Sequence, residues 1–175
     1  MNDYKSLRIH DGKIVYEKEP AKNIDIAQNL NGWLNTLQKD KFSVDVNGSV
    51  FAPDVDNFKL EAELNSVSNK FLSRIDIQNY NFDHSIIHDF INNLSLEGTT
   101  NGYLEITGDI TKLDSIQVDG NLRLTDMATT YKDESADKIN IDLILEQNSV
   151  RITNGRFNYQ NHSFHSFTSK SKGKK

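Results

Sequence analysis

The sequence predicts an all-β protein, and two observations carry that expectation. Apolar and polar residues alternate through nearly the whole chain, and Gly follows Asn or Asp at six steps. On a strand, successive side chains point to opposite faces, so strict alternation gives one apolar and one charged face. Sheets of that kind are antiparallel meanders with a solvated back, not buried parallel sheets. The expected architecture is a long, curled, mostly antiparallel sheet with an apolar groove and one short helix.

The elements follow in chain order. Leu7 and Ile9 alternate with Arg8 and His10, and Ile24 and Ile26 flank Asp25. Phe42, Val44 and Val46 alternate with Ser43, Asp45 and Asn47, and Phe58, Leu60, Ala62 and Leu64 with Lys59, Glu61 and Glu63. Ile75 and Ile77 flank Asp76, Leu104 and Ile106 flank Glu105, and Leu122 and Leu124 flank Arg123. Ile139, Ile141, Leu143 and Leu145 form one row, and Val150 and Ile152 flank Arg151. The steps Asp11-Gly12, Asn31-Gly32, Asn47-Gly48, Asn101-Gly102, Asp119-Gly120 and Asn154-Gly155 supply turns or bulges, where φ is allowed to be positive. Residues 27–38 also fit helical spacing, but Asn31-Gly32 in their middle favours a strand.

One segment breaks the period. Over residues 83–94, Ile86, Ile87, Phe90, Ile91 and Leu94 are spaced three and four apart, with Asp83 or Ser85 as a cap. The spacing predicts a helix of about three turns.

Composition narrows the function. The chain of 175 residues has no Cys, which removes disulfides, thiolate metal sites and cysteine nucleophiles. Its net charge of −5 argues against nucleic acid, which needs a basic stripe. No run approaches the ~20 apolar residues of a membrane helix, and no export signal opens the sequence.

The sequence repeats. Leu7-Arg-Ile-His-Asp-Gly-Lys-Ile-Val-Tyr16 recurs as Leu122-Arg-Leu-Thr-Asp-Met-Ala-Thr-Thr-Tyr131, an offset of 115. The same offset relates Ala21 to Ala136, Ile24 to Ile139 and Ile26 to Ile141, and a third copy reads Val150-Arg-Ile-Thr-Asn-Gly-Arg-Phe-Asn-Tyr159. Residues 1–168 thus read as one β-repeat segment, with a unit of about 7–121 and the start of the next at 122–168. Residues 169–175 read as a basic tail, disordered rather than bound to anionic headgroups.

The order of these elements carries a resemblance. A strand reading "L-R-I-x-D-G-x-I-x-Y" leads to "I-D-I…L-N-G-W-L", two meander strands, and a strand into a short helix, "I-D-I-Q-N-Y-N-F…F-I-N-N-L". "L-E-G-T-T-N-G-Y-L-E-I-T-G" and "V-D-G-N-L-R-L-T-D" complete it. Over residues 6–168 the chain resembles the TamB and AsmA-like proteins of diderm bacterial envelopes. The resemblance implies a taco-like β-groove that carries phospholipid across the periplasm. It also implies a parent protein anchored in the inner membrane and contacting an outer-membrane barrel assembly protein, TamA. The chain departs from the family in lacking the N-terminal membrane helix and a recognisable C-terminal partner-binding domain.

The residues support a groove independently. Ten to twelve strands at ~4.8 Å spacing make a sheet roughly 50 Å long. An apolar face that large must curl on itself, pack against a neighbour or bind something apolar. The candidate lining is Leu7, Ile9, Ile24, Ile26, Val44, Val46, Leu60, Leu64, Ile75, Ile77, Leu104, Ile106, Leu122, Leu124, Ile139, Ile141, Val150 and Ile152. The same ladder would also fill the dry core of a structural β-repeat, such as a surface stalk or a scaffold for outer-membrane protein assembly.

Other sites read poorly. His84 and His88 lie four apart on the expected helix, but the Glu of a zinc-protease motif and a third ligand are missing. His162 and His165 fall on opposite strand faces. Asp54-Val-Asp56-Asn57 begins like a calcium loop but lacks its Gly and distal Glu, which favours a turn. No acid/base pair, nucleophile elbow or phosphate loop stands out. The sequence is read as a non-enzyme with no cofactor.

Overall fold

A computed structural model of the chain describes residues 5–19, 22–50, 56–82, 94–132, 134–147, 149–159, 162–165 and 169–172. They are almost entirely strand: β1 (Ser6–Glu19), β2 (Lys22–Gln38), β3 (Lys41–Val50), β4 (Phe58–Asn65), β5 (Lys70–Asn81) and β6 (Leu94–Asp109) come first. Then follow β7 (Lys112–Tyr131), β8 (Glu134–Glu146), β9 (Ser149–Tyr159), β10 (His162–His165) and β11 (Ser169–Lys172). Strands β1 to β10 neighbour one another in sequence order in one sheet, and β11 also pairs with β9. The all-β antiparallel expectation is met, and residues 27–38 are strand. The expected helix over 83–94 lies outside the described residues except for Leu94, which opens β6.

By contact density the chain forms two compact units, Met1–Ile77 with Tyr103–Val118, and Gln78–Gly102 with Asp119–Lys175. Each contains a three-strand block with the same irregularities. In the first unit, His10 and Asp11 of β1 stand opposite the single Asn31 of β2, and Lys13 stands opposite Gln28 and Asn29. In the second, Thr125 and Asp126 of β7 stand opposite Asn140 of β8, and Ala128 opposite Asp137 and Lys138. The offset continues into the third strand. Asn29 and Leu30 face Gly48 of β3, as Lys138 and Ile139 face Phe157 of β9.

A shared clasp holds both bulges. Asp11 and Asp126 each have φ 49, and Asn29 and Lys138 have φ 53 and 50. The Asp11 amide donates to Asn31 Oδ1 at 3.2 Å, and Asn31 Nδ2 donates to the Asn29 carbonyl at 2.7 Å. The Asp126 amide and the Lys138 carbonyl meet Asn140 in the same way, at 3.3 and 3.1 Å. A side chain thus satisfies backbone groups that the bulge removes from the ladder. Asn79 in β5, with φ 47, donates its amide to Asn101 Oδ1 at 2.8 Å, a third use of that contact.

The blocks narrow one reading and correct another. First, of the turns or bulges expected at the Asn-Gly and Asp-Gly steps, none is a hairpin turn: all six steps lie within strands, several of them at bulges. At Asn31-Gly32 and Asn101-Gly102 the Asn reaches back to the preceding strand and the Gly admits the following one. A Cβ on Gly32 would lie 1.9 Å from the Asp45 carbonyl oxygen, and one on Gly102 2.0 Å from that of Asn121. Second, the offset of 115 holds for β1 and β7 but not for the strands after them. Asn31 corresponds to Asn140 and Ala27 to Ala136, so Ala136 does not match Ala21. The first hairpin closes at Glu19 and Lys22, the second at Tyr131 and Glu134, which makes each arm of the first three residues longer. The third sequence copy, residues 150–159, lies in β9, which takes the place of β3.

The basic tail also departs from expectation. Ser169–Lys172 form β11, paired with Ser149 to Ile152 in the register that β10 sets against residues 156–159. The turn expected over 54–57 lies outside the described residues at 54 and 55. Asn57 is buried, and its carboxamide accepts the Val50 amide at 2.8 Å and donates to the Val50 carbonyl at 3.1 Å.

Candidate functional site: the apolar strand faces

Residues directly opposite across a ladder share a face, so the registers assign the sides. In the first unit one row runs Ile9, Gly32, Val46, Leu60, Ile75, and the next runs Leu7, Leu34, Val44, Ala62, Ser73. Phe42, Leu64 and Phe71 form a third, and Gly48, Phe58 and Ile77 a fourth. Tyr103 and Glu105 meet Arg74 on the opposite side, which places Leu104 and Ile106 on the apolar side. In the second unit Leu122, Leu143 and Ile152 align, as do Leu124, Ile141 and Gly155, Gly120, Leu145 and Val150, and Met127 with Ile139.

Sixteen of the eighteen candidate lining residues therefore gather on the apolar face of their own unit. The other two are in β2. The Ile24 side chain lies outside the described ones, and its backbone pairs with that of Tyr16. Ile26 falls at a register step between Ile14 and Val15, with no residue directly opposite it. The bulge at Gln28 and Asn29 reverses the alternation, and Ala27 and Leu30 take the core positions with Val46. Alternation alone missed these two, and the Asn-Gly step was the signal that the period would slip.

The apolar faces are sparsely covered. Among the described residues the buried hydrophobics are Ala27, Leu30, Val46, Tyr80 and Met127. Val44, Leu60, Leu64, Ile75, Ile77, Leu122, Leu124, Ile139 and Ile141 are half-buried, Leu7 is 61% exposed and Val150 40%.

The opposite face is ionic. In the first unit Arg8, Trp33, Asp45, Glu61 and Arg74 lie in register across five strands. The Arg8 guanidinium sits 5.7 Å from the Trp33 ring centre, and Lys59 bridges Glu61 and Asp45. Arg74 bonds Asp76 and Glu105, each at 2.9 Å, 4.2 Å above the Tyr103 ring. An open depression of about 490 Å³ on this face is lined chiefly by Asn35, Ser43, Asp45, Glu61, Glu63 and Arg74. In the second unit Arg123 bonds Asp142 at 2.8 Å and holds that carboxyl below its usual range. These pairs are solvated, so each adds little to stability and keeps the face wet.

No group of three or more potential metal ligands occurs among the described residues, nor does a helix long and apolar enough to cross a membrane. His162 and His165 are exposed on β10, and His84 and His88 lie outside the described residues. No protein family, curated protein or solved structure matches the chain.

Proposed function

We propose that this chain is a segment of an envelope-spanning lipid-transport protein, whose apolar strand faces shield phospholipid acyl chains between the inner and outer membranes. The observation that supports it is the half-buried state of the Ile, Leu, Val and Phe rows in each unit. Each methylene kept from water contributes about 0.8 kcal/mol, so unbranched chains laid along such rows gain at every carbon. Rows repeated strand after strand keep that gain nearly constant as a chain advances, which avoids deep traps. The ionic faces stay in water. On this reading the parent protein belongs with the TamB and AsmA-like proteins, resides in the periplasm on an inner-membrane anchor, and meets an outer-membrane barrel protein such as TamA.

Native mass spectrometry after purification from membranes, with photoreactive residues at Ile106 and Leu124, tests this. Retained phospholipid and lipid adducts at both positions are expected. A chain free of lipid, together with a folding collapse in Leu124→Arg, would assign the rows to a dry structural core, since an unpaired buried charge is costly.

A further inference from the structure

The two three-strand blocks differ in what borders them. In the second unit the outer edge of β7 is occupied by β6, and the fit depends on three residues spaced two apart. A Cβ on Gly98 would lie 2.7 Å from the Met127 Cα and 2.9 Å from the Asp126 carbonyl oxygen. A Cβ on Gly102 would lie 2.0 Å from the Asn121 carbonyl oxygen. Both glycines have positive φ, 117 and 145, which side-chain-bearing residues adopt at a cost. Between them the buried Thr100 donates its hydroxyl to the Arg123 carbonyl at 3.1 Å. The bulge at Asp126 thus refuses ordinary strands and admits one reading Gly-x-Thr-x-Gly.

The outer edge of β1 presents the same features with no described strand against it, since β1 is the first strand in sheet order. Asp11 repeats the bulge of Asp126 at the same φ, and Arg8 stands where Arg123 stands. The Lys5 carbonyl accepts the Thr36 amide of β2 at 2.9 Å. Strand alternation then turns the backbone groups of Ser6 and Arg8 away from β2, toward the open edge.

We infer that the β1 edge is a docking site for an extended polypeptide strand, from outside these 175 residues, that carries Gly-x-Thr-x-Gly. It would add as an antiparallel strand, its Thr opposite Arg8 and its glycines opposite Ser6 and Asp11-Gly12. A second copy of this chain is not the occupant: its only segment of this pattern is β6, which is already flanked by β5 and β7. The bulge keeps unrelated strands off an edge that would otherwise pair indiscriminately. The inference stands apart from the lipid reading, because it concerns backbone pairing at one edge.

The probe is a synthetic peptide of residues 94–109 added to the full chain, read by amide exchange. At ten times its dissociation constant the peptide should slow exchange at Ser6 and Arg8 on the order of tenfold and leave Arg123 unchanged. Peptides with Gly98→Val or Gly102→Val should lose the effect. Arg8→Pro, which removes an outward N–H and no bond to β2, should lose it too. Equal protection by the valine peptides, protection only at Arg123, or self-association of the chain that the peptide leaves undisturbed would overturn the inference.

Discussion

Asn31 and Asn140 perform one task in two places: each carboxamide accepts the amide of an aspartate held at φ 49 on the preceding strand. Each also donates to the carbonyl of the residue two before it, Asn29 or Lys138. The clasp replaces ladder bonds at a two-against-one bulge, and it keeps the apolar face continuous while the alternation shifts by one. Asn31→Ala and Asn140→Ala should each destabilise the chain by about 1–3 kcal/mol, read as a lower urea midpoint at constant slope.

Lys138 holds φ 50 with a side chain that gains nothing there by local bonding, unlike Asn or Asp. Lys138→Gly should therefore raise stability by about 1 kcal/mol. The same exchange at Asp11 should gain less, because Asp tolerates this region better. Paired urea titrations of the two variants give the comparison.

Gly32 and Gly102 are required by contact. With a Cβ 1.9–2.0 Å from a neighbouring carbonyl oxygen, Gly32→Ala and Gly102→Ala must push β3 or β7 away. Each should cost about 3 kcal/mol, at the upper end of overpacking. A variant whose melting temperature stayed at the wild-type value would contradict the close approach.

Around the end of β3, two buried polar residues should respond oppositely. Asn57→Ala strands both polar groups of Val50 and should cost about 2–3 kcal/mol. The Ser49 hydroxyl is buried and has no hydrogen-bond partner among the described residues, so Ser49→Ala should be neutral or stabilising. Thermal melts of the two variants decide the signs.

Arg123 holds the Asp142 carboxyl below its usual range, with Asn154 adding to the effect. A carboxyl whose folded pKa lies below its unfolded value, near 3.9, contributes stability that is full above that value and lost as pH falls through the folded one. The stability difference between wild type and Arg123→Gln should thus be present at pH 6 and shrink below about pH 4. Urea midpoints at pH 6 and pH 3 measure it.

The strands and their apolar sides were legible in the sequence where alternation is uninterrupted. Phe42, Val44 and Val46 show this, since they pair across to Leu64, Ala62 and Leu60. Legibility failed at the bulges. Ile26 satisfies the pattern, yet Ala27 and Leu30 enter the core, because a residue added to one strand inverts the side chains beyond it. The Asn-Gly and Asp-Gly steps beside the bulges carried that information, but local chemistry does not distinguish a bulge from a turn. The repeat was visible at Leu7 and Leu122. Its true alignment in β2 and β8 emerged only from the register, because a longer hairpin moves the offset without disturbing the block.

A sheet built from near-identical strands faces an identity problem that a varied core does not. Leu7-Arg-Ile, Leu122-Arg-Leu and Val150-Arg-Ile are interchangeable as alternating strings, so a growing chain could zip them in several frames. The Asn clasps work like pins set at unequal spacings along a zipper. A frame shifted by two residues keeps every apolar contact but leaves Asp11 or Asp126 with no carboxamide to meet. The carboxamides thereby serve as proofreading marks that select one frame.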